Sequence, residues 1–292
     1  MELRVLRYFL VVAREENITR AAALLHVTQP TLSRQLMQLE EELGVRLFHR
    51  GKYRIVLTDD GMLLRRRAQE ILELAEKTER EFQRQQGELV GEIAIGEGET
   101  NSMTGLSRQI AAFRQAHPLV RFSLYSATAD DIKDRLEKGL LDLGLLAEPV
   151  DIGRYEFLRM PGRDRWGVWV RKDDPLARRE CVTPRDLLGI PLLVARREQV
   201  QQELAGWFGD DFDKLEIAGT FNLILNAANM VCNRVGVALG FLMGNLSDEL
   251  RFVPLSPALE TGTVLVWKKD QAFSPAARQF LEHLKECPAG ME

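Results

Sequence analysis

The stretch HVTQPTLSRQLMQLEEELG, from His26 to Gly44, has an apolar helical repeat, a polar front end and three glutamates at its back. Its leucines recur at spacings of four, three and four, which places them on one face of a helix: Leu32, Leu36, Leu39 and Leu43. Thr28 is a good N-cap, and Pro30 is tolerated in the first turn because the N–H groups there lack intrahelical partners. Gly44 predicts the end of this helix.

The polar face of this predicted helix carries side chains suited to DNA. These residues are Gln29, Pro30, Thr31, Ser33, Arg34 and Gln38. Glutamine and arginine make bidentate contacts to adenine and guanine edges, and serine and threonine reach bases or phosphates. Glu40, Glu41 and Glu42 would repel phosphates, so only the N-terminal end of the helix is expected to approach DNA. The alternative is a small helical bundle with a solvated face, but acids gathered at one end favour DNA binding.

The residues before His26 predict two further helices. Leu3, Leu6, Phe9, Leu10 and Ala13 have helical spacing, and this first helix is expected to end near Glu16-Asn17. Thr19 is the expected N-cap of a short helix over RAAALL, followed by a tight turn at His26-Val27. Two short helices joined by a turn, the second with a polar tip, match the geometry of a helix-turn-helix.

A β-hairpin is predicted in VRLFHRGKYRIVLT, which follows Gly44. Its cationic residues alternate around a glycine-containing turn: Arg50, Lys52 and Arg54. The pattern predicts a wing that contacts phosphates or the minor groove, with a merely solvated hairpin as the alternative.

A connector helix is predicted from Asp59, with Thr58 as its cap. Apolar and small residues follow at alternating spacings of four and three, as in a coiled-coil seam of about three heptads: Leu64, Ala68, Ile71, Ala75, Thr78 and Phe82. We interpret this seam as a weak dimerisation face, against the alternative of a helix lying on its own domain. The segment Gln83-Gln85-Gln86-Gly87 is the expected hinge into the next domain.

From Leu89 onward strands alternate with helices, which predicts a parallel sheet with ligands at the carboxyl ends of its strands. Two polar loops are expected at those ends, Thr100-Asn101-Ser102 and Ala127-Thr128-Ala129. Their hydroxyl and backbone N–H groups would converge on one crevice that suits an anion. For any single residue here, a simple N-cap is an equally good interpretation.

A second half of this domain begins near Gly162. Asn222, Asn226 and Asn229 have helical spacing and either line the crevice or are solvated. Arg196-Arg197 follows a predicted strand and could meet an anionic ligand, although a surface pair is the commoner case. We expect the crevice to bind a small metabolite, with a carboxylate as the candidate class, and no charged side chain to block its entry.

Charge and composition bound the function further. The chain has a net charge of −4, but residues 1–58 hold nine Lys/Arg against six Asp/Glu, so a mildly basic head precedes an acidic body. Three scattered cysteines do not form a disulfide framework or a zinc site, and no signal peptide or membrane span is predicted, which indicates a cytoplasmic protein. The four histidines stand apart and no HExxH, P-loop or GxSxG motif occurs, so we predict no enzymatic activity, cofactor or metal.

The segment AAALLHVTQPTLSRQLMQLEEELGVRLFHR…LTDDG resembles the N-terminal signature of LysR-type transcriptional regulators. DDPLA, NRVGVALG and VLVWKKDQAFSPAARQFLEHL extend the likeness over nearly the whole chain. The resemblance implies a helix-turn-helix from about Ile18 to Met37. It also implies DNA contacts by Gln29, Pro30, Thr31, Ser33 and Arg34, with Arg50 and Arg54 on the wing. Gly51-Lys52-Tyr53 departs from the more basic wing of the family.

The resemblance also implies the domain organisation. We expect a winged helix-turn-helix at 1–58, a linker and dimerisation helix at 59–88, and an α/β regulatory domain at 89–292 that is similar to periplasmic binding proteins. In that domain, subdomain I would comprise about 89–162 and 268–292, subdomain II about 163–267, and the effector would lie between them as co-inducer. The expected partners are double-stranded DNA, a second copy or a tetramer of the chain, and RNA polymerase as a further candidate. The remaining alternatives are a bifunctional DNA-binding enzyme and a plain small-molecule binding protein.

Overall fold

The computed structural model describes residues 1–50, 55–82 and 88–286 of the chain. The chain folds into two compact units, Met1–Phe82 and Gln83–Glu292. Each unit has its own hydrophobic core.

The first unit begins with three helices, α1 (Leu3–Glu15), α2 (Ile18–Leu24) and α3 (Gln29–Leu43). The side chain of Asn17 caps α2 by accepting a hydrogen bond from the backbone N–H of Arg20 at 3.0 Å, so the predicted cap at Thr19 is wrong. Thr28 caps α3 as predicted, and Gly44 ends it in the left-handed conformation at φ 69°. Leu32, Leu36 and Leu39 are buried in the core, whereas Leu43 is exposed.

A two-stranded wing and a long helix complete this unit. Strand β1 (Phe48–Arg50) pairs antiparallel with β2 (Ile55–Leu57), and the turn between them lies outside the described residues. Helix α4 (Asp59–Phe82) follows, and the backbone N–H of Gly61 donates to the Thr58 hydroxyl at 3.0 Å, as expected for a cap at Thr58.

The second unit contains two sheets. The first has the order β4-β3-β5-β13-β6, formed by β3 (Gly91–Glu97), β4 (Val120–Ser126), β5 (Leu143–Ala147), β6 (Tyr155–Arg159) and β13 (Thr263–Lys268). Strand β3 is parallel to β4 and β5, but β13 is antiparallel to both of its neighbours. The sheet is therefore mixed, and the prediction of a purely parallel sheet is wrong. Helices α5 (Ser102–Ala116), α6 (Ala129–Glu137) and α9 (Pro275–Glu286) pack against it.

The second sheet has the order β11-β7-β10-β8-β9, with β12 paired to β7. Its strands are β7 (Asp164–Arg171), β8 (Leu192–Ala195), β9 (Ile217–Phe221), β10 (Val237–Phe241), β11 (Leu250–Pro254) and β12 (Glu260–Thr261). Helices α7 (Glu198–Phe208) and α8 (Ile224–Cys232) accompany it. Strand β8 is parallel to β9 and β10, while β7 is antiparallel to β10, β11 and β12.

The chain crosses between the two sheets twice. The first crossing joins β6 to β7 near residue 162, as predicted. The second joins β12 to β13 at Gly262, because all of Thr263–Lys268 pairs within the first sheet. The predicted return at 267–268 is therefore wrong. A run of apolar residues predicts that a strand exists, but it does not specify which sheet that strand joins.

Candidate functional site

The N-terminal end of α3 forms one candidate site, on the surface of the first unit. Five of the six predicted helix contacts are exposed there, and the sixth, Ser33, is half-buried: Gln29, Pro30, Thr31, Arg34, Gln38 and Ser33. The Gln29 side-chain amide donates to the Ser33 hydroxyl at 3.1 Å, and the hydroxyls of Thr28 and Thr31 lie 2.8 Å apart. These local bonds order the polar surface without covering it.

Arg34 has no ion pair or hydrogen bond with any residue that the structure describes. By contrast Arg20, on the preceding helix, is held by Glu15 at 2.7 Å. The Arg34 guanidinium is therefore available for an outside acceptor, such as a base edge or a phosphate.

The three glutamates at the end of α3 do not act alike. Glu40 is only 5% exposed, and its carboxylate accepts hydrogen bonds from the backbone N–H groups of Leu47 at 2.8 Å and Phe48 at 3.3 Å. Glu42 pairs with the terminal amine of Met1 at 2.8 Å. The prediction that all three repel phosphates is therefore wrong for Glu40, which is turned inward and holds the start of the wing.

The wing is only partly described. The backbone of Arg50 lies in β1 opposite Ile55. Lys52 and Arg54, and the Gly51-Lys52-Tyr53 departure, lie outside the described residues. Their predicted contact with phosphates stays a prediction.

The predicted seam of α4 faces the core of its own unit. Ala68 has 0% exposure within this core, and Leu64 and Ile71 pack against it. The interpretation of Ala68 as a dimerisation residue is therefore wrong, because α4 packs on α1 along that side. Ala75 is half-buried, and the side chain of Phe82 lies outside the described residues. The exposed apolar side chains of α4 are instead Met62, Leu63 and Leu74.

A cleft between the two sheets of the second unit forms the other candidate site. Its cavity has a volume of about 130 Å³. Residues directly after β3, β4 and β5 line one side, and residues after β8, β9 and β10 line the other. Much of the lining is apolar or aromatic: Leu146, Trp166, Val200, Phe221, Phe241 and Met243. The cleft lies at the carboxyl ends of these strands, which is where the sequence predicts a ligand site.

Thr100 and Thr128, the two predicted hydroxyl residues, both line this cleft. Thr100 is 3% exposed, and its hydroxyl has no hydrogen-bond partner among the described residues. The Thr128 hydroxyl instead caps α6, where it donates to the Asp131 carboxylate at 2.6 Å. Thr100 is thus the cleft-lining threonine whose buried hydroxyl has no partner among the described residues.

Three of the predicted effector residues do not line the cleft. The Asn101 side chain donates to the Asp164 carboxylate at 3.0 Å and to the carbonyl of Leu242. Asn101 and Ser102 border a different depression, together with Arg108 and Arg163. Asn226 is exposed elsewhere on α8, and Asn222 is the residue of that row that reaches the cleft. The prediction fails for Asn101 and Ser102 because α5 begins at Ser102 and they border the other depression, and it fails for Asn226 because that side chain lies on an exposed face of α8.

Charged side chains do line the cleft, contrary to expectation: Glu99, Glu148, Arg196 and Arg197. Arg196 is exposed, whereas the Arg197 side chain is only 10% exposed. The Nε and Nη2 groups of Arg197 have no hydrogen-bond partner within the described parts of the chain. Its Nη1 donates to the carbonyl of Ala147 at 3.5 Å, and Nε lies 3.7 Å from the Asp130 carboxylate, too far for a hydrogen bond. Burial lowers the pKa of Arg197, and Asp130 opposes this effect.

Glu99 is therefore a residue that the sequence did not single out, and Arg197 was singled out only as one of the pair Arg196-Arg197. The sequence indicates that the pair Arg196-Arg197 could meet an anionic ligand, but only the fold determines which of the two arginines is buried. Arg197 precedes the first turn of α7, and this position directs its side chain into the cleft.

Three carboxyl groups in or near the cleft have raised pKa values, in each case chiefly because they are buried. They are Glu99, Asp164 and Glu203. Hydrogen bonds oppose the shift, from Ile224 and Leu225 at Glu99, from Asn101 and Thr263 at Asp164, and from Thr261 at Glu203. The junction of the two sheets is therefore a place where carboxylates are held at an electrostatic cost.

An exposed helix-turn-helix tip in one unit and an enclosed polar-apolar cleft in the other define a ligand-responsive DNA-binding protein. Comparison with known proteins agrees. Residues 3–62 match the bacterial regulatory helix-turn-helix domain of the lysR family, and residues 86–288 match the LysR substrate binding domain. The chain belongs to the LysR family of transcriptional regulators, which are not enzymes.

Several relatives and solved structures are similar over almost the whole chain. The Hca operon transcriptional activator HcaR of Escherichia coli K12 is 30% identical and aligns over 98% of both chains. The uncharacterised regulator YvbU of Bacillus subtilis is likewise 30% identical over 98% of both. Full-length CbnR in complex with its target DNA shares the fold with a TM-score of 0.77 at 23% identity, over 98% of this chain and 99% of that one. None of the helices that the structure describes is long and apolar enough to cross a membrane.

Proposed function

We propose that this regulator responds to a small carboxylate with an apolar body, bound in the cleft of the second unit. The observation that carries the proposal is Arg197, whose buried guanidinium offers two N–H groups without partners. Leaving N–H groups of a buried charge without partners is unfavourable, and a carboxylate ligand relieves that cost by a charge-assisted bidentate contact. The Thr100 hydroxyl supplies a further donor, and the aromatic lining accommodates the apolar part of the ligand.

The DNA contacts proposed for the first unit come from the exposed end of α3. Gln29, Thr31 and Arg34 contact base edges, and Ser33 and Gln38 contact bases or phosphates. The similar CbnR structure was determined with its target DNA, which supports this use of the helix-turn-helix. In this proposal Arg34 carries most of the specificity, because its guanidinium is not occupied within the protein.

The chain is further proposed to act as a homodimer or homotetramer. The apolar side chains that α4 leaves exposed are the candidate contacts, in place of the seam predicted from the sequence. Leu63 and Leu74 are eleven residues apart, which returns to the same helix face. Pairing along this face brings together two DNA-binding tips, as recognition of a symmetric operator requires.

The carboxylate site is tested by replacing the two neighbouring arginines separately. Differential scanning fluorimetry with a library of small carboxylates and their matched primary amides first identifies ligands that raise the melting temperature. Arg197→Gln should weaken the binding of these carboxylates by roughly 10- to 150-fold, since a hydrogen bond to a charged group contributes about 1.5–3 kcal/mol. Arg196→Gln is the matched control and should keep wild-type affinity. Equal losses in both variants, or none in Arg197→Gln, would contradict the proposal.

A further inference from the structure

Helix α8 receives its N-terminal cap from a distant part of the chain. Leu223, at its own N-cap position, provides no side-chain hydrogen bond. The Glu99 carboxylate, in the loop after β3, instead accepts hydrogen bonds from the backbone N–H groups of Ile224 and Leu225. The Glu99 side chain thus joins the loop after β3, in the first sheet, to the start of α8, which accompanies the second sheet.

The start of a helix attracts anions because its first N–H groups lack intrahelical partners and its dipole is positive there. In this protein the position borders the cleft, since Glu99, Leu223 and Ile224 all line it. Thr100, next to Glu99, is 3% exposed with an unpartnered hydroxyl in the same cleft. The cleft therefore has two positions for a negative charge: α8, which Glu99 fills, and Arg197, whose Nε and Nη2 groups no described residue hydrogen-bonds, the Asp130 carboxylate lying 3.7 Å from Nε.

We infer that Glu99 is a built-in carboxylate that fills the second anion position of the cleft and thereby restricts the effector to a single carboxylate. The inference rests on the proposed function, in which the effector carboxylate binds Arg197. A second carboxylate on the effector would find the α8 N–H groups already bound. It would also meet the negative charges of Glu99 and Glu148, and like charges in a cleft of low polarity repel strongly.

A different role for Glu99 would be that of a structural cap alone. In that case its removal would leave the first N–H groups of α8 to water, and no anion would take its place. The two roles differ in the number of small anions that the folded protein binds.

Formate is a suitable probe because it is the smallest carboxylate and has no apolar body. The full chain is unfolded by heat in a formate series at constant ionic strength set with sodium chloride. An ion that binds only the folded state raises its stability as the formate concentration rises. The slope of stability against the logarithm of formate concentration therefore gives the number of formate ions that the folded state binds. The wild type should bind one ion, at Arg197, and Glu99→Ala should bind two.

Further variants separate the two positions. Arg197→Gln should bind no formate, and the double variant Glu99→Ala with Arg197→Gln should bind one ion, at α8. Glu282→Ala is the matched control: it removes an exposed carboxylate on α9, which does not line the cleft, and it should bind one ion like the wild type. For Glu99→Ala the additional ion should raise the melting temperature by roughly 3–6 °C when formate is tenfold above its dissociation constant.

The outcomes distinguish the inference from the proposal on which it rests. If Glu99→Ala binds no more formate than the wild type, Glu99 is only a cap and the inference is overturned. If the wild type binds none while Glu99→Ala binds one, the α8 position is supported and the Arg197 site is the part that fails. Should Glu99→Ala not fold, Glu99→Ser also removes the carboxylate from α8, and the same counts apply.

Discussion

Removal of the Glu40 carboxylate should destabilise the DNA-binding unit rather than strengthen its binding to DNA. The carboxylate is buried and accepts hydrogen bonds from the backbone N–H groups of Leu47 and Phe48. Both of these residues are also buried. In Glu40→Ala both donors lose their acceptor. A buried donor without a partner costs about 1–3 kcal/mol, and the longer bond to Phe48 adds less, so the total loss should be roughly 2–4 kcal/mol. That is a large fraction of the 5–15 kcal/mol typical of a domain.

The two units can be followed separately in this experiment, because all four tryptophans lie in the second unit. Urea unfolding followed by far-ultraviolet circular dichroism and by hydrogen exchange of peptides from α3 should show the loss, while tryptophan fluorescence should be unchanged. Glu41→Ala, an exposed glutamate on the same helix, is the control and should unfold like the wild type. If Glu40→Ala unfolded at the wild-type urea concentration and bound DNA more tightly, Glu40 would act as a phosphate-repelling surface acid and the argument would be refuted.

Three further changes test the other sites. Arg34→Ala should cost about 1–3 kcal/mol on a selected operator and relax base preference, measured by fluorescence anisotropy at fixed salt; unchanged affinity would exclude Arg34 from recognition. Leu74→Glu should shift sedimentation to smaller species and leave the melting temperature unchanged, because Leu74 is exposed. Ile71 packs on the core of its own unit, so Ile71→Glu should lower the melting temperature. Burial raises the pKa of Glu203 above its ordinary 4.5, so its contribution to stability is present at low pH and lost as pH rises through the raised value. The stability of Glu203→Gln relative to wild type should therefore be greater at pH 7.5 than at pH 5, and a difference independent of pH would contradict the assignment.

Much of this architecture could be predicted from local patterns. The helix over Gln29–Leu43 was predictable from its leucine spacing, its Thr28 cap and Gly44, because these signals are contained within the element itself. The errors concern what an element faces: Ala68 has the spacing of a coiled-coil seam, but it packs on its own core. Periodicity shows that a face is apolar and does not show which surface covers it.

The cleft was harder to predict because its residues come from both sheets. Thr100 was predictable, since polar residues after a parallel strand lie at a binding edge. Arg197 and Glu99 depend on long-range geometry: Glu99 bonds to a helix that starts 125 residues later. No local pattern contains that information.

Hydrogen bonds connect the two crossings between the sheets to the loop that contains Thr100. Asp164, directly after the first crossing, accepts hydrogen bonds from the backbone N–H of Asn101 at 2.9 Å and from the Thr263 hydroxyl, directly after the second, at 3.3 Å. Asn101 is joined by one peptide bond to Thr100, whose hydroxyl faces the cleft. The two sheets have separate cores on either side of this junction, so a change in their separation need not disturb either core. A ligand can shift an equilibrium between two separations of the sheets only if it binds one of them more tightly than the other. In the proposed effector complex, contacts with Thr100 from one side and Arg197 from the other would create that difference, because both could form together at only one separation of the sheets.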